Sequence, residues 1–153
     1  MKANGKNSIP ELSYYRLILL DFLQESHPER TGDDRLIASR AEAAAETFSK
    51  AVMNGSSDTQ AENEALLVLF EGLYFSKYDT MVNILWNEFS NEIPEDNARE
   101  AALKLLPRLE PVFSSYALSD DFIYEPEYDL LYTELTGAIA LIVESGELKK
   151  IYH

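Results

Sequence analysis

The chain has 153 residues, of which 46% are apolar and 26% charged, a net charge of −14 and no cysteine. A chain of this length buries a core without metals or cross-links, and its composition excludes general disorder. The missing cysteine excludes disulfides, thiolate zinc sites and cysteine nucleophiles, and it fits a reducing compartment.

The charge is uneven. Residues 1–60 carry seven basic and nine acidic side chains, whereas residues 62–134 carry four basic (Lys77, Arg99, Lys104, Arg108) and sixteen acidic. No basic footprint of the kind that holds phosphates is visible, so direct nucleic-acid binding is not expected. The most apolar early stretch, Leu17 to Leu23, is interrupted by Asp21 and is far shorter than the ~20 residues of a membrane span. No small-residue cleavage site follows it. Neither a membrane segment nor a signal peptide is expected, and the cytoplasm is the expected location.

In chain order, residues 1–7 are polar and expected to be flexible, and a single helical domain is expected over 8–153. Ser8 caps a first helix running to about Gln24, with Pro10 and Glu11 in its first turn. Its apolar residues spread over most of its circumference, which predicts a central helix. Pro28 stops it. Asp33 or Asp34 starts a second helix, rich in alanine, that ends at Asn54-Gly55. After a cap at Ser56–Asp58 a third helix spans roughly Thr59 to Leu73. Ser76 is the N-cap of a fourth, with Asp79 three residues on. Tyr78, Met81, Val82, Leu85, Trp86 and Phe89 form its regular apolar face, so Trp86 is expected in the core.

Pro94 opens a fifth, alanine-bearing helix, which Pro107 and Pro111 are expected to kink or break. Leu118 to Glu127 is irregular. Pro126 begins a last helix that ends at Gly146. No run alternates with period two, so the fold expected is all-α, with six to seven helices. Short, proline-bounded helices predict an irregular array rather than an up-down bundle. The first and last helices are expected at its centre, with the alanine-rich second and fifth packed closely against them.

Chemistry is sparse. His27, at a helix end beside Pro28, reads as a partner for helix C-terminal carbonyls, and His153 is the only other histidine. A histidine–carboxylate metal site would need both, so no metal is expected. The acids around Asp120 and Asp121 lack the glycine of a calcium loop. Carboxylate pairs such as Glu88/Glu92 and Glu92/Asp96 are expected by chance among twenty-seven acids. With no phosphate loop, nucleophile elbow or zinc helix motif, no catalytic residue and no cofactor is assigned.

Two surfaces stand out instead. Glu88, Glu92, Glu95, Asp96, Glu100, Asp120 and Asp121 form a candidate acidic interaction surface. Tyr124, Tyr128 and Tyr132, at i, i+4, i+8, form a candidate aromatic interface.

Four segments together, Glu25-Ser-His-Pro-Glu29, Phe75-Ser-Lys-Tyr-Asp-Thr80, Leu85-Trp-Asn-Glu-Phe89 with Ile93-Pro94, and Leu118-Ser-Asp-Asp-Phe122, resemble the domain-of-unknown-function family eighteen-ninety-six. These are small proteins of Bacteroidetes, often encoded near mobile-element genes. The resemblance spans about Leu12 to Val143. It implies a helical fold and a bacterial cytoplasmic setting, and carries no activity or site residues.

The leading expectation for function is a non-enzymatic protein–protein interaction module, in the setting of a mobile-element accessory protein. Its partner would be another protein, and a homodimer is left open. The alternatives are an acidic mimic of nucleic acid occupying a DNA-binding protein's site, and a hydrolase using carboxylates and His27.

Overall fold

The computed structural model describes residues 12–148. The flexible segment expected at 1–7, the Ser8 cap and His153 lie outside them. Among the described residues there are six α-helices, three short 3-10 turns and no strand: α1 (Leu12–Ser26), α2 (Asp34–Met53), α3 (Asp58–Phe70), α4 (Lys77–Glu88), α5 (Ala98–Phe113) and α6 (Glu127–Ser145). The chain divides into two compact units, Met1–Leu73 and Tyr74–His153, and each has its own apolar cluster. Sequence periodicity suggested one domain over 8–153 and drew no such division.

In the first unit α2 packs on both α1 and α3, and α1 touches α3. The helices begin where side chains satisfy orphan N–H groups. Asp33 accepts from the Leu36 N–H, and Ser57 and Gln60 form a reciprocal capping box. Ala41, Ala44 and Ala51 of α2 and Ala61 and Ala65 of α3 are all buried in one cluster, because small side chains let two backbones approach. α2 ends at Asn54-Gly55, where Gly55 takes a φ of +98° that a side chain would resist.

In the second unit α4, α5 and α6 pack against one another. Ser76 caps α4 by accepting from the Asp79 N–H at 2.9 Å, and α6 ends at Gly146 in the left-handed region. α5 continues through Pro107 and Pro111, where a kink or a break was expected. Both prolines face solvent, as does Leu103, whose carbonyl Pro107 cannot serve. Beyond the second proline, the Ser114 and Ser115 hydroxyls donate to the Pro111 carbonyl. The opposite face buries Ala98, Ala101, Ala102, Leu105, Leu106, Leu109 and Phe113, which outweighs two missing hydrogen bonds.

Two further expectations change. α1 and α6 each bury a single stripe, Tyr15/Leu19/Leu23 and Leu131/Leu135/Ile139, leaving Leu17, Leu130 and Leu141 exposed. In the first unit α2, not α1, makes the more extensive packing with both others. Trp86 lies at the margin of the buried arc of α4, because Ile84 takes the inner position on the other flank. It is 36% exposed, lies under the Arg99 guanidinium at 5.5 Å, and donates through Nε1 to the Glu95 carbonyl at 3.3 Å.

Candidate functional site

His27 is where the first unit holds its chemistry. Its side chain is buried, and Nε2 lies 2.7 Å from the Leu73 carbonyl. Since a carbonyl only accepts, this contact requires Nε2 to carry the proton. Glu29 is 4.0 Å from Nδ1 and the Phe22 ring lies alongside. His27 therefore serves a carbonyl as expected, but one from the segment after α3 rather than from its own helix. Arg40 reaches the same region from α2. Its Nη1 donates to the carbonyls of Leu69 at 3.2 Å and of Glu71, filling acceptors that a helix end leaves unserved.

Tyr14 and Tyr15 donate to the two oxygens of Glu62 at 2.6 and 2.8 Å, joining α1 to α3. Burial, then the hydrogen bond and charge of Glu62, push the Tyr15 hydroxyl well above its ordinary value. Each of these groups is occupied in holding helices together. Among the described residues no three histidine, aspartate or glutamate side chains are grouped so as to hold a metal ion.

The second unit is different at its surface. Phe122 is buried, with its ring 5.3 Å from Phe75, 6.0 Å from Tyr116 and 6.3 Å from Tyr128. Asp120 accepts from the Tyr74 N–H at 3.0 Å. These contacts fasten the irregular stretch before α6 to the chain entering α4. Residues Phe122–Tyr124 form a 3-10 turn, whose three side chains point about a third of a turn apart. With Phe122 turned in, Ile123 and Tyr124 face out, at 52% and 86% exposure.

The result is a small depression of about 80 Å³ lined by Tyr74, Phe75, Ser76, Asp79, Thr80, Asn83, Ile123 and Tyr128. It shares Tyr74 and Ile123 with a broader concavity of about 470 Å³ bordered by Asp120, Asp121 and Tyr124.

The tyrosine stripe is thus split. Tyr124 stands on the turn, whereas Tyr128 and Tyr132 lie half-buried on α6 with ring centroids 6.4 Å apart. The Tyr132 hydroxyl donates to Glu88 at 3.0 Å and accepts from Asn87 at 3.2 Å. Burial raises the pKa of both hydroxyls. The acidic residues are divided as well. Glu88 ends α4, Glu92 follows it, Glu95 and Asp96 lie in a 3-10 turn, and Glu100 is in the first turn of α5. Glu100 pairs with Lys104 at 3.1 Å. Asp120 and Asp121 stand at the concavity. Tyr74, Asp79 and Ile123 were not among the expected site residues, since only the fold brings the two segments together. The sequence signals at this place were Asp120, Asp121, Tyr124 and Tyr128, which line the two hollows.

The molecule is an acidic, all-α protein, and two of its exposed aromatic side chains, Tyr74 and Tyr124, stand at a concavity bordered by Asp120 and Asp121. No helix among the described residues is long and apolar enough to cross a membrane. The chain belongs to the family described as Domain of unknown function (DUF1896), whose model matches residues 7–148. It is similar to protein PG0816 from Porphyromonas gingivalis, known from a crystal structure. The two are 41% identical with a TM-score of 0.87, over 94% of this chain and 97% of that one. No curated protein matches.

Proposed function

We propose that the chain is a non-enzymatic interaction module of the bacterial cytoplasm that docks another protein on the surface around Tyr74, Ile123 and Tyr124. The observation that carries this reading is the exposure of these three large side chains at one concavity. Apolar area left in water is area a partner can cover, at about 25 cal/mol per Å², and tyrosines suit such a role because one end is apolar and the other wet. The cysteine-free composition supports a reducing compartment.

Nucleic-acid mimicry has less in its favour. The chain turns at Pro94 between Glu88 and Glu100, and Arg99 and Lys104 lie among the acids, whereas a mimic needs an unbroken array matching one charge per ~1.7 Å of duplex axis. The hydrolase reading would need His27 as a base, and that side chain is buried on the Leu73 carbonyl.

The test is affinity capture with the chain and two variants. The Ile123→Ser/Tyr124→Ser variant should keep its stability within about 0.5 kcal/mol and lose its captured protein. The Glu88→Gln/Glu92→Gln/Glu95→Gln/Asp96→Asn variant should retain it. The reverse pattern, with a captured DNA-binding protein, would put mimicry first.

A further inference from the structure

Gly137 lies near the middle of α6, a helix of 19 residues, and it is exposed. Its backbone needs no positive φ, and a methyl group added there would meet nothing of the surrounding fold within 4 Å. Neither a turn nor internal packing therefore requires glycine here. Glycine in a helix interior nevertheless lowers the folded-to-unfolded ratio about three- to fivefold against alanine. Leu130 and Leu141 are 62% and 68% exposed and lie on the same side of the helix. At 3.6 residues per turn, Leu130, Gly137 and Leu141 fall within about 40° of one another, away from the buried stripe Leu131/Leu135/Ile139. With Glu134 they mark positions i, i+4, i+7 and i+11. The stripe is about 16 Å long, two large apolar side chains with a gap between them.

We infer that this face docks an amphipathic helix of a partner protein, basic along its flanks, whose closest approach is at Gly137. The spacing is that of a helix seam, in which a side chain of one helix enters a hole in the other. The absent side chain at Gly137 is such a hole, and it explains a glycine that the isolated fold does not need. Charge selects the partner. α6 carries Glu127, Asp129, Glu134 and Glu144 and no basic residue, and the Tyr116 hydroxyl donates to Glu134 at 2.8 Å, holding that carboxylate beside the stripe. A second copy of this chain fits poorly. Laid antiparallel with Leu130 against Leu141, it would set Glu127 of one copy against Glu144 of the other. Laid parallel, it would stack Glu134 on Glu134. Like charges across an interface oppose association, whereas lysines or arginines beside a partner's apolar stripe answer them. None of these residues lines the hollows at Tyr74, Ile123 and Tyr124, so this is a second docking face that stands or falls apart from the first.

The test titrates the nitrogen-15-labelled chain with a designed amphipathic peptide that has leucine at its a and d positions and lysine at e and g. The same peptide with glutamate for lysine is the control. The lysine peptide should move the amides of residues 127–145 saturably, and the glutamate peptide should leave them unmoved. Leu130→Ser/Leu141→Ser should weaken binding about tenfold, as expected on removing two apolar anchors. Gly137→Ala should weaken it about fivefold, the effect of one methyl group forced into a packed contact. In urea the same Gly137→Ala should raise the folded-to-unfolded ratio about three- to fivefold. A glycine with a purely structural role would not split binding from stability in this way. The spectra report whether each variant is folded. Shifts along Glu88–Glu100 as large as those on α6 would mean attraction by charge alone and overturn the inference. So would binding unchanged in a folded Gly137→Ala, or a Gly137→Ala less stable than the parent. A chain that is dimeric in sedimentation equilibrium, and monomeric as Leu130→Ser/Leu141→Ser, would assign the face to a second copy and equally overturn it. If α6 gives no response while Ile123→Ser/Tyr124→Ser still abolishes protein capture, the first docking face stands and this one falls.

Discussion

Two tyrosine-bearing regions of the molecule meet different fates. In the first unit Tyr14 and Tyr15 both turn their hydroxyls onto Glu62, and at the other end of α3 His27 and Arg40 serve carbonyls at and after its last turn. In the second, Tyr74 and Tyr124 stand at the surface beside Asp120 and Asp121. The contrast shows how little residue type says about role. A tyrosine next to a carboxylate is a strut when the carboxylate lies on the neighbouring helix. The same kind of pair stands at the surface when the chain turns it outward, as Tyr124 does beside Asp121.

The largest test of the contrast is Phe113→Ala. The ring is fully buried in the second unit, so its loss should cost about 3–5 kcal/mol. Hydrogen exchange should then lose protection across residues 74–148 before residues 12–70. Uniform loss along the chain would mean that the two units unfold as one.

His27→Ala comes next. It leaves the Leu73 carbonyl without its donor in a buried place and should cost about 1–3 kcal/mol in denaturant unfolding. A variant as stable as the parent would show that His27 is not a strut.

Tyr15→Phe should cost about 1 kcal/mol and also alter the pH dependence. Burial and Glu62 raise the Tyr15 pKa in the fold, whereas in the unfolded chain it titrates near 10. The unfolded state loses its proton first. The stabilisation is therefore whole below about pH 10 and falls as pH rises towards the higher folded value. Urea unfolding at increasing alkaline pH should show this decline, and Tyr15→Phe should flatten it.

The smallest effect belongs to Trp86→Ala. An exposed ring under one guanidinium contributes about 0.5–1 kcal/mol, far less than a core tryptophan. A loss above about 3 kcal/mol would restore the core role that its spacing suggested.

What the sequence made legible was local. The caps at Asp33, Ser57 and Ser76 and the stops at Gly55 and Gly146 each depend on residues within one turn, and all are present. The family resemblance was legible through segments, and the family is the one the chain belongs to. What stayed hidden depends on distant partners. Arg40 meets carbonyls about thirty residues on, and Glu62 meets tyrosines nearly fifty residues back. Tyr74 meets Asp120, forty-six residues on, which receives its N–H. Trp86 was misplaced for a related reason: a regular face tells which side of a helix is apolar, and not where the buried arc is centred.

The continuous α5 carries one more consequence, and it concerns the chain before it folds. Pro107 and Pro111 each hold φ near the helical value in the unfolded state. Where a native backbone accepts it, that restriction is worth about 0.4–1 kcal/mol per residue. Both rings face water, so the helix keeps this entropic advantage while its inner face packs undisturbed. Neither proline has an amide proton, and α5 therefore has two fewer places where solvent could trade hydrogen for deuterium when the helix frays.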